Sequence, residues 1–383
     1  MDAIYLDHAA TTPVRPEVRA AMDPYFSPRF GNPSSAHRWG REARAALEEA
    51  RERLAAALGA QRRELIFTSG GTEADNLAVL GRWRALADRG AVGVACSAIE
   101  HKAVLGAAHA AAAEGAEEIL LAVDTEGRLD LGALDEALRA RPAVVAVMWA
   151  NNEVGTLQPV AEIATRCRAA GVAFHTDAIQ AFGKVRVRVD EVPCDLLALS
   201  GHKIGAPKGI GALYVRSGVE LRPLVHGGSQ ERELRPGTEN VAFAVGLSVA
   251  AELAAHEQEE ERARLEGLRT RLEARLQAAI PGLAVNGAGA PRAPQMLNVS
   301  IPGVEQDALL MALDLEGLAV SGGSACQSGA VEPSHVLVAM GRASPGEAAI
   351  RLSLGRTTTE TEVDAAAERL PAVVERIRAL AVL

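Results

Sequence analysis

ELIFTSGGTEADNLAVL, residues 64–80, sets a strand, a turn and a helix end to end. Glu64 to Thr68 is a compact strand-like run, cut off by Ser69-Gly70-Gly71-Thr72, and a helical spacing of apolar residues begins at Glu73. The same order recurs in looser form: Ala91 to Cys96 before Glu100, Ala143 to Trp149 before Asn151, Val172 to His175 before Asp177, and Leu196 to Leu199 before Ser200. Several of these strands are unbroken apolar runs, AVVAVMW (143–149) the clearest, as expected where helices cover both faces of a parallel sheet. The pattern predicts an α/β fold built on a mainly parallel sheet. Polar and small residues gather where each strand ends, the edge at which open α/β sheets bind ligands.

Outward from that stretch, Gly40 to Gly59 reads as an amphipathic helix closed by Gly59. Ala251 to Ile280 reads as a long charge-rich helix whose charges form a solvated face, crossing into a smaller α+β region with short strands such as MLNVSI and IRLSL. The length of 383 residues suits one large domain plus a smaller one. A net charge of -9 argues against nucleic acid as a direct partner. The amino terminus has no basic segment followed by an apolar one, and Val241 to Ala255 is too short and interrupted to span a bilayer, so a cytoplasmic protein without membrane contact is expected. Cys96, Cys167, Cys194 and Cys326 are scattered without a C-x-x-C pair, which argues against a zinc site or a redox dithiol.

Three strand ends carry candidate chemistry. Ser69-Gly70-Gly71-Thr72 stands where a helix start offers free N–H groups to a phosphate, although such turns also serve geometry alone; it is neither a Walker loop nor G-x-G-x-x-G. Asp177, in FHTDAIQAFGK (174–184), either caps a helix or faces a cationic ring nitrogen such as a pyridinium, and Gln180 one turn later reaches the same place. Lys203, in SGHK (200–203), is one of four lysines in a chain that otherwise uses arginine. A guanidinium keeps its proton, whereas an amine desolvated at a sheet edge can lose it and condense with an aldehyde; a plain surface lysine is the alternative.

These stretches are joined by YLDHAATTPV, GNPSSAH, EHKAVL, NNEVGTLQPV, LSGHKIGAPKGIGALYV, HGGSQERELRPGTEN, LNVSIPG, SGGSACQSGAVEPSHVL and IRLSLGRTTT. Over nearly its whole length the chain thereby resembles the cysteine desulfurases of aminotransferase class V, which are fold-type I pyridoxal-phosphate enzymes. The resemblance implies a large cofactor-binding domain over 15–255 and a small domain formed by 1–14 with 256–383. It implies that Lys203 holds pyridoxal 5'-phosphate covalently and later moves the substrate α-proton, that Asp177 pairs with the ring nitrogen, and that Asn152 and Gln180 lie near the ring oxygen. His101 would stack on the ring and act in acid–base steps. Gly71, Thr72, Ser200 and His202 would hold the phosphate, with Thr238 reaching in from the second subunit of a homodimer. Arg351 and Asn152 would bind the substrate, the guanidinium clamping its carboxylate. Taken singly, His101 suits a helix start, Arg351 a salt bridge, and Asn151 and Asn152 a turn.

Pyridoxal phosphate serves many reactions, so the cofactor does not select one. The selecting residue is Cys326, in a run of small residues, Ser321 to Gly329, expected to be a mobile loop. The resemblance implies that its thiolate takes sulfur from L-cysteine, leaving L-alanine, and passes the persulfide to an iron–sulfur scaffold protein or a tRNA-thiolation enzyme. The other three cysteines read as buried or structural. Two departures from the family pattern, Pro236 in Arg235-Pro236-Gly237-Thr238 and Ser229 after the glycines that follow His226, bear on the contact across subunits. The competing readings are another class V enzyme, such as a selenocysteine lyase or an aminotransferase, and a non-catalytic scaffold for a sulfur carrier.

Overall fold

Seven strands form the main sheet, in the spatial order Leu65–Thr68, Gly211–Val215, Leu196–Ser200, Ala173–Asp177, Val144–Ala146, Gly93–Ser97 and Glu117–Leu121. Gly211–Val215 runs antiparallel to both its neighbours and every other pairing along the sheet is parallel, so Thr68, Ser200, Asp177, Ala146 and Ser97 all end on one edge. The computed structural model describes residues 3–322 and 333–380; the expectations for Cys326 and for its loop beyond Gly322 lie outside the described residues.

The expected strands recur with shifted ends. AVVAVMW forms regular ladder over Val144–Ala146 alone, although Val147 and Trp149 still donate to His175 O and Asp177 O at 3.0 and 2.9 Å. Glu100 explains the narrowing: its Oε1 accepts the Met148 N–H at 2.6 Å, replacing a strand neighbour. The Arg38–Leu58 helix ends at Gly59 with φ +71, a left-handed C-cap that glycine adopts without side-chain cost. Its buried positions, among them Ala43, Leu47, Leu54 and Leu58, keep the helical spacing read from sequence.

The long charged stretch is two helices, Val241–His256 and Gln258–Ala279, parted at Glu257, whose carboxylate Arg15 grips at 2.7 and 2.8 Å. No glycine or proline marks that break. Leu265, Leu268, Leu272 and Leu276 are buried, while the charged face pairs with its surroundings, as in Arg271–Asp364 and Arg292–Glu273. These leucines join a second core under Met296–Pro302 and Glu347–Ser353, antiparallel strands that pair Asn298 with Arg351. Ile4 and Leu6 are buried in this same core, and Ile4–Tyr5 pairs in parallel with Leu318–Ala319. The amino-terminal segment therefore leaves the second core at Asp7 and runs directly onto the carboxyl edge of the main sheet. No helix among the described residues is long and apolar enough to cross a membrane.

Candidate active site at the carboxyl edge of the sheet

Two turns close on each other at this edge. A methyl group added to Gly71 would stand 3.4 Å from Ser200 Cβ and 2.1 Å from Ile179 Cδ1. Gly211 lies between the two strands, with Gly70 C and Leu199 O each 2.6 Å from where a Cβ would be, so only a bare backbone fits. The Gly71–Leu86 helix thus begins against Ser200, and the N–H groups of Gly71 and Thr72 have no acceptor within the helix. Free amides at the positive end of a helix form an anion cradle. The Ser69 N–H is already taken by Glu73 Oε2 at 2.7 Å, and Arg235 Nε holds the other Glu73 oxygen at 3.0 Å.

Lys203 projects from the short Gly201–Lys203 turn. Its amine donates to Ala9 O and to Ala10 O, the latter at 2.8 Å, and Gln180 Nε2 donates to the same Ala9 O at 2.9 Å. Thr12 donates from both its N–H and its hydroxyl to His202 O, at 2.9 and 2.8 Å, and Thr11 Oγ1 lies 3.1 Å from His202 Nδ1. Burial, with the Arg351 charge second, brings the Lys203 amine down to about 8, while Asp177 and Asp7 pull the other way. The Asp177 carboxylate accepts the Ile179 N–H at 2.8 Å. Burial pushes its pKa up to about 6 even though that N–H and Lys203 favour the charged form. Burial, then the Lys203 and Lys208 charges, takes His202 down to about 4, leaving a neutral imidazole at pH 7.

Arg351 reaches this edge from the second core. Its Nη1 donates to Asn152 O at 2.8 Å and its Nη2 to Asp7 Oδ1 at 2.7 Å. Asn152 Oδ1 is buried without a hydrogen-bond partner among the described residues. His101 caps the Lys102–Ala113 helix by accepting the Ala103 N–H at 3.1 Å. Loss of hydration and the nearby Lys203 charge lower its pKa. Thr238 stands apart from these groups, exposed on a groove that it lines with Ser69, Gly209 and Arg235.

Reasoning from sequence missed several residues of this neighbourhood. Asp7, which grips Arg351, and the Ala9 and Ala10 carbonyls, which hold Lys203, all lie in YLDHAATTPV, a stretch noted as a motif without roles. Glu100 is fully buried next to His101, and Ser97 Oγ donates to its Oε1 at 2.7 Å. Burial pushes its carboxyl up to about 8. Asp75 Oδ1 and His175 Nε2 are 3.1 Å apart, both residues fully buried. The two-residue period of a strand, which sets His175 on the same face as Asp177, was the available signal.

Cys96, Cys167 and Cys194 are buried thiols, the first pushed well up and the other two up to about 12, chiefly by desolvation, so none is suited to react as a thiolate. Described residues on either side of Cys326 reach the site. Ser321 exchanges backbone hydrogen bonds with Arg351 at 2.7 and 3.2 Å, Ser334 Oγ donates to Glu153 Oε2 at 2.5 Å, and His335 Nε2 lies 2.9 Å from Glu100 O.

Residues 4–366 match the family described as aminotransferase class-V. A cysteine desulfurase IscS of Dictyoglomus turgidum is 45% identical over 380 residues, covering 98% of this chain and 96% of that protein. The chain belongs to the aminotransferase class-V family, among its cysteine desulfurases. Cysteine desulfurase NifS of Azotobacter vinelandii is 44% identical, covering 99% of this chain and 94% of its own. A solved structure titled NifS-like protein superposes with a TM-score of 0.91 at 34% identity, over 98% of this chain and all of the other. The fold is accordingly that of fold-type I pyridoxal-phosphate enzymes.

Enzymes of this family depend on pyridoxal phosphate. The edge fits that group: free Gly71 and Thr72 amides suit a phosphate, a buried carboxylate suits a ring cation, and an amine with a lowered pKa suits an aldehyde.

Proposed function

We propose that this chain removes sulfur from L-cysteine, releasing L-alanine, and carries the sulfur as a persulfide on Cys326 to an iron–sulfur scaffold protein or a tRNA-thiolation enzyme. Bound pyridoxal phosphate supplies a covalent tether for the substrate amine and an electron sink for charge developed at its α-carbon. The observation that carries this reading is the Lys203 amine on the same sheet edge as the Asp177 carboxylate and the free amides of Gly71 and Thr72.

In this reading Lys203 Nζ moves the α-proton, a task suited to an amine near 8, which exchanges its proton at working pH. Asp177, ionised, faces the ring nitrogen, with Asn152 and Gln180 near the ring oxygen and His101 on the ring. Gly71, Thr72, Ser200 and His202 take the phosphate, with Thr238 of a second copy. Arg351, oriented by Asp7 and Asn152 O, binds the substrate carboxylate, as a guanidinium fork does well. The Cys326 thiolate forms an S–S bond to the substrate sulfur as the Cβ–S bond breaks; that electron pair goes to Cβ, which takes a proton to become the methyl group of alanine. One structural neighbour is titled SspA in complex with cysteine; its TM-score is 0.80, at 35% identity. The protein works as a cytoplasmic homodimer whose 15–255 domain holds the cofactor and whose 1–14 plus 256–383 domain carries Arg351 and Cys326.

Alanine and protein-bound persulfide, measured after adding L-cysteine to the cofactor-loaded protein, provide the test. Cys326→Ser abolishes both, and Lys203→Ala loses the cofactor's visible absorbance. A Cys326→Ser protein that kept full sulfur transfer would remove this role from Cys326.

A further inference from the structure

A cavity of about 310 Å³ opens beside the stem of Lys203, and none of Asp177, Asn152, His101 or Arg351 lines it. Its walls come from both cores: the amino-terminal segment at Pro13–Pro16, Gly183 and Lys184, the Lys203–Gly205 turn, the helix junction around Glu257, and Arg356 with Thr357. That volume is about ten times the share of one liquid water molecule, ample for a small organic ion.

The charges around it are unbalanced. Glu257 is committed to Arg15 at 2.7 and 2.8 Å, and Glu261 to Arg264 at 2.9 and 3.0 Å. Once those pairs are removed, Lys203, Lys184 and Arg356 remain; the Ala9 and Ala10 carbonyls hold the Lys203 amine, whereas neither the Lys184 nor the Arg356 side chain makes a hydrogen bond or ion pair to a described residue. Burial, the leading cause, holds the Lys184 amine below the usual lysine range, while the Glu261 and Glu257 charges pull the other way without forming an ion pair with it. The remaining lining is largely apolar, including Pro13, Val14, Ile204 and Ala254. Two cations without ion-pair partners among the described residues, on a concave surface whose remaining charges are already engaged and whose other lining is largely apolar, are the features that select a small anion with an organic body.

We propose that this cavity binds a small organic oxyanion, a carboxylate or a phosphate ester, held between Lys184 and Arg356. Lys203 forms part of the wall, so a negative charge there favours its protonated amine, and the ligand thereby adjusts the residue that the proposed chemistry uses. The binding itself does not depend on that chemistry.

Calorimetric titration of the cofactor-loaded protein with inorganic phosphate, and separately with propionate, tests this; loading the cofactor first fills the phosphate cradle at Gly71. Saturable binding of one anion per chain is expected for at least one of the two probes, and which binds tells phosphate from carboxylate. Lys184→Met weakens it at least about tenfold, the loss of about 1.4 kcal/mol. Arg356→Gln, at an exposed position whose folding is not in question, weakens it about threefold or more, and Lys208→Gln, exposed and outside the cavity, leaves it unchanged. The proposal is overturned if neither probe saturates, if Arg356→Gln binds as the unaltered protein does, or if Lys208→Gln loses as much as Arg356→Gln.

Discussion

The lowered pKa of Lys203 makes a prediction about how the apo protein captures its cofactor. An amine must be neutral to attack an aldehyde. At the ordinary lysine value of 10.5, about 0.03% of amines are neutral at pH 7; at about 8, about 9% are, a gain of roughly 300-fold. Stopped-flow absorbance on apo protein mixed with pyridoxal phosphate, from about pH 6 to about pH 10, reads the covalent step. Its rate constant is expected to rise about tenfold per pH unit and then level off near pH 8. Two variants test the causes. Arg351→Gln removes a cation that lowers the pKa, so the plateau moves to higher pH; Asp177→Asn removes an anion that raises it, so the plateau moves lower. A rate still climbing through pH 9 and 10 in the unaltered protein, as for a solvated lysine, would refute the claim that burial tunes this amine. Stability follows the same proton count. Between about pH 8 and 10.5 the unfolded chain binds more protons at Lys203 than the folded one, so the apo protein grows more stable as pH rises through that window.

Further outcomes follow from the packing around the site. Gly211→Ala forces a methyl against the backbone at Gly70 and Leu199, so a loss of about 1–3 kcal/mol in denaturant unfolding is expected, together with weaker cofactor retention on dialysis. Arg51 holds the buried Glu231 carboxylate with two bonds of 2.7 Å, and that carboxylate also accepts the Phe67 N–H at 3.0 Å; Arg51→Met strands the charge and costs about 3–5 kcal/mol, seen as a lowered midpoint of chemical unfolding. Asp7→Asn keeps the shape but removes the charge that orients Arg351, so steady-state kinetics should show KM for cysteine rising about tenfold with a smaller change in kcat; an unchanged KM argues against that orienting role.

The carboxyl edge of the sheet was legible because its parts are local. Each of Ser69-Gly70-Gly71-Thr72, Asp177 and Ser200-Gly201-His202-Lys203 follows an apolar strand directly, and strands of one direction must end on one side. The helix ending at Gly59 was readable for the same reason: the spacing and the left-handed cap lie within one segment. The break at Glu257 was not, because its partner Arg15 lies far off in the chain. Nor was the shortened Val144–Ala146 strand, where a side chain from another strand end takes the place of the ladder.

By itself, the sequence determined that an apolar, strand-rich sheet would carry a glycine turn, a carboxylate and a rare lysine along one edge, since periodicity and turn chemistry act over a few residues. Tertiary structure decided what surrounds them. It threads Asp7, Ala9 and Ala10 from the second core across that edge, sets Arg351 against Asp7, and buries Lys203 far enough to bring its amine down to about 8. Those features arise from contacts between residues as much as 344 positions apart, where desolvation and charge depend on who the neighbours are and no local pattern records them.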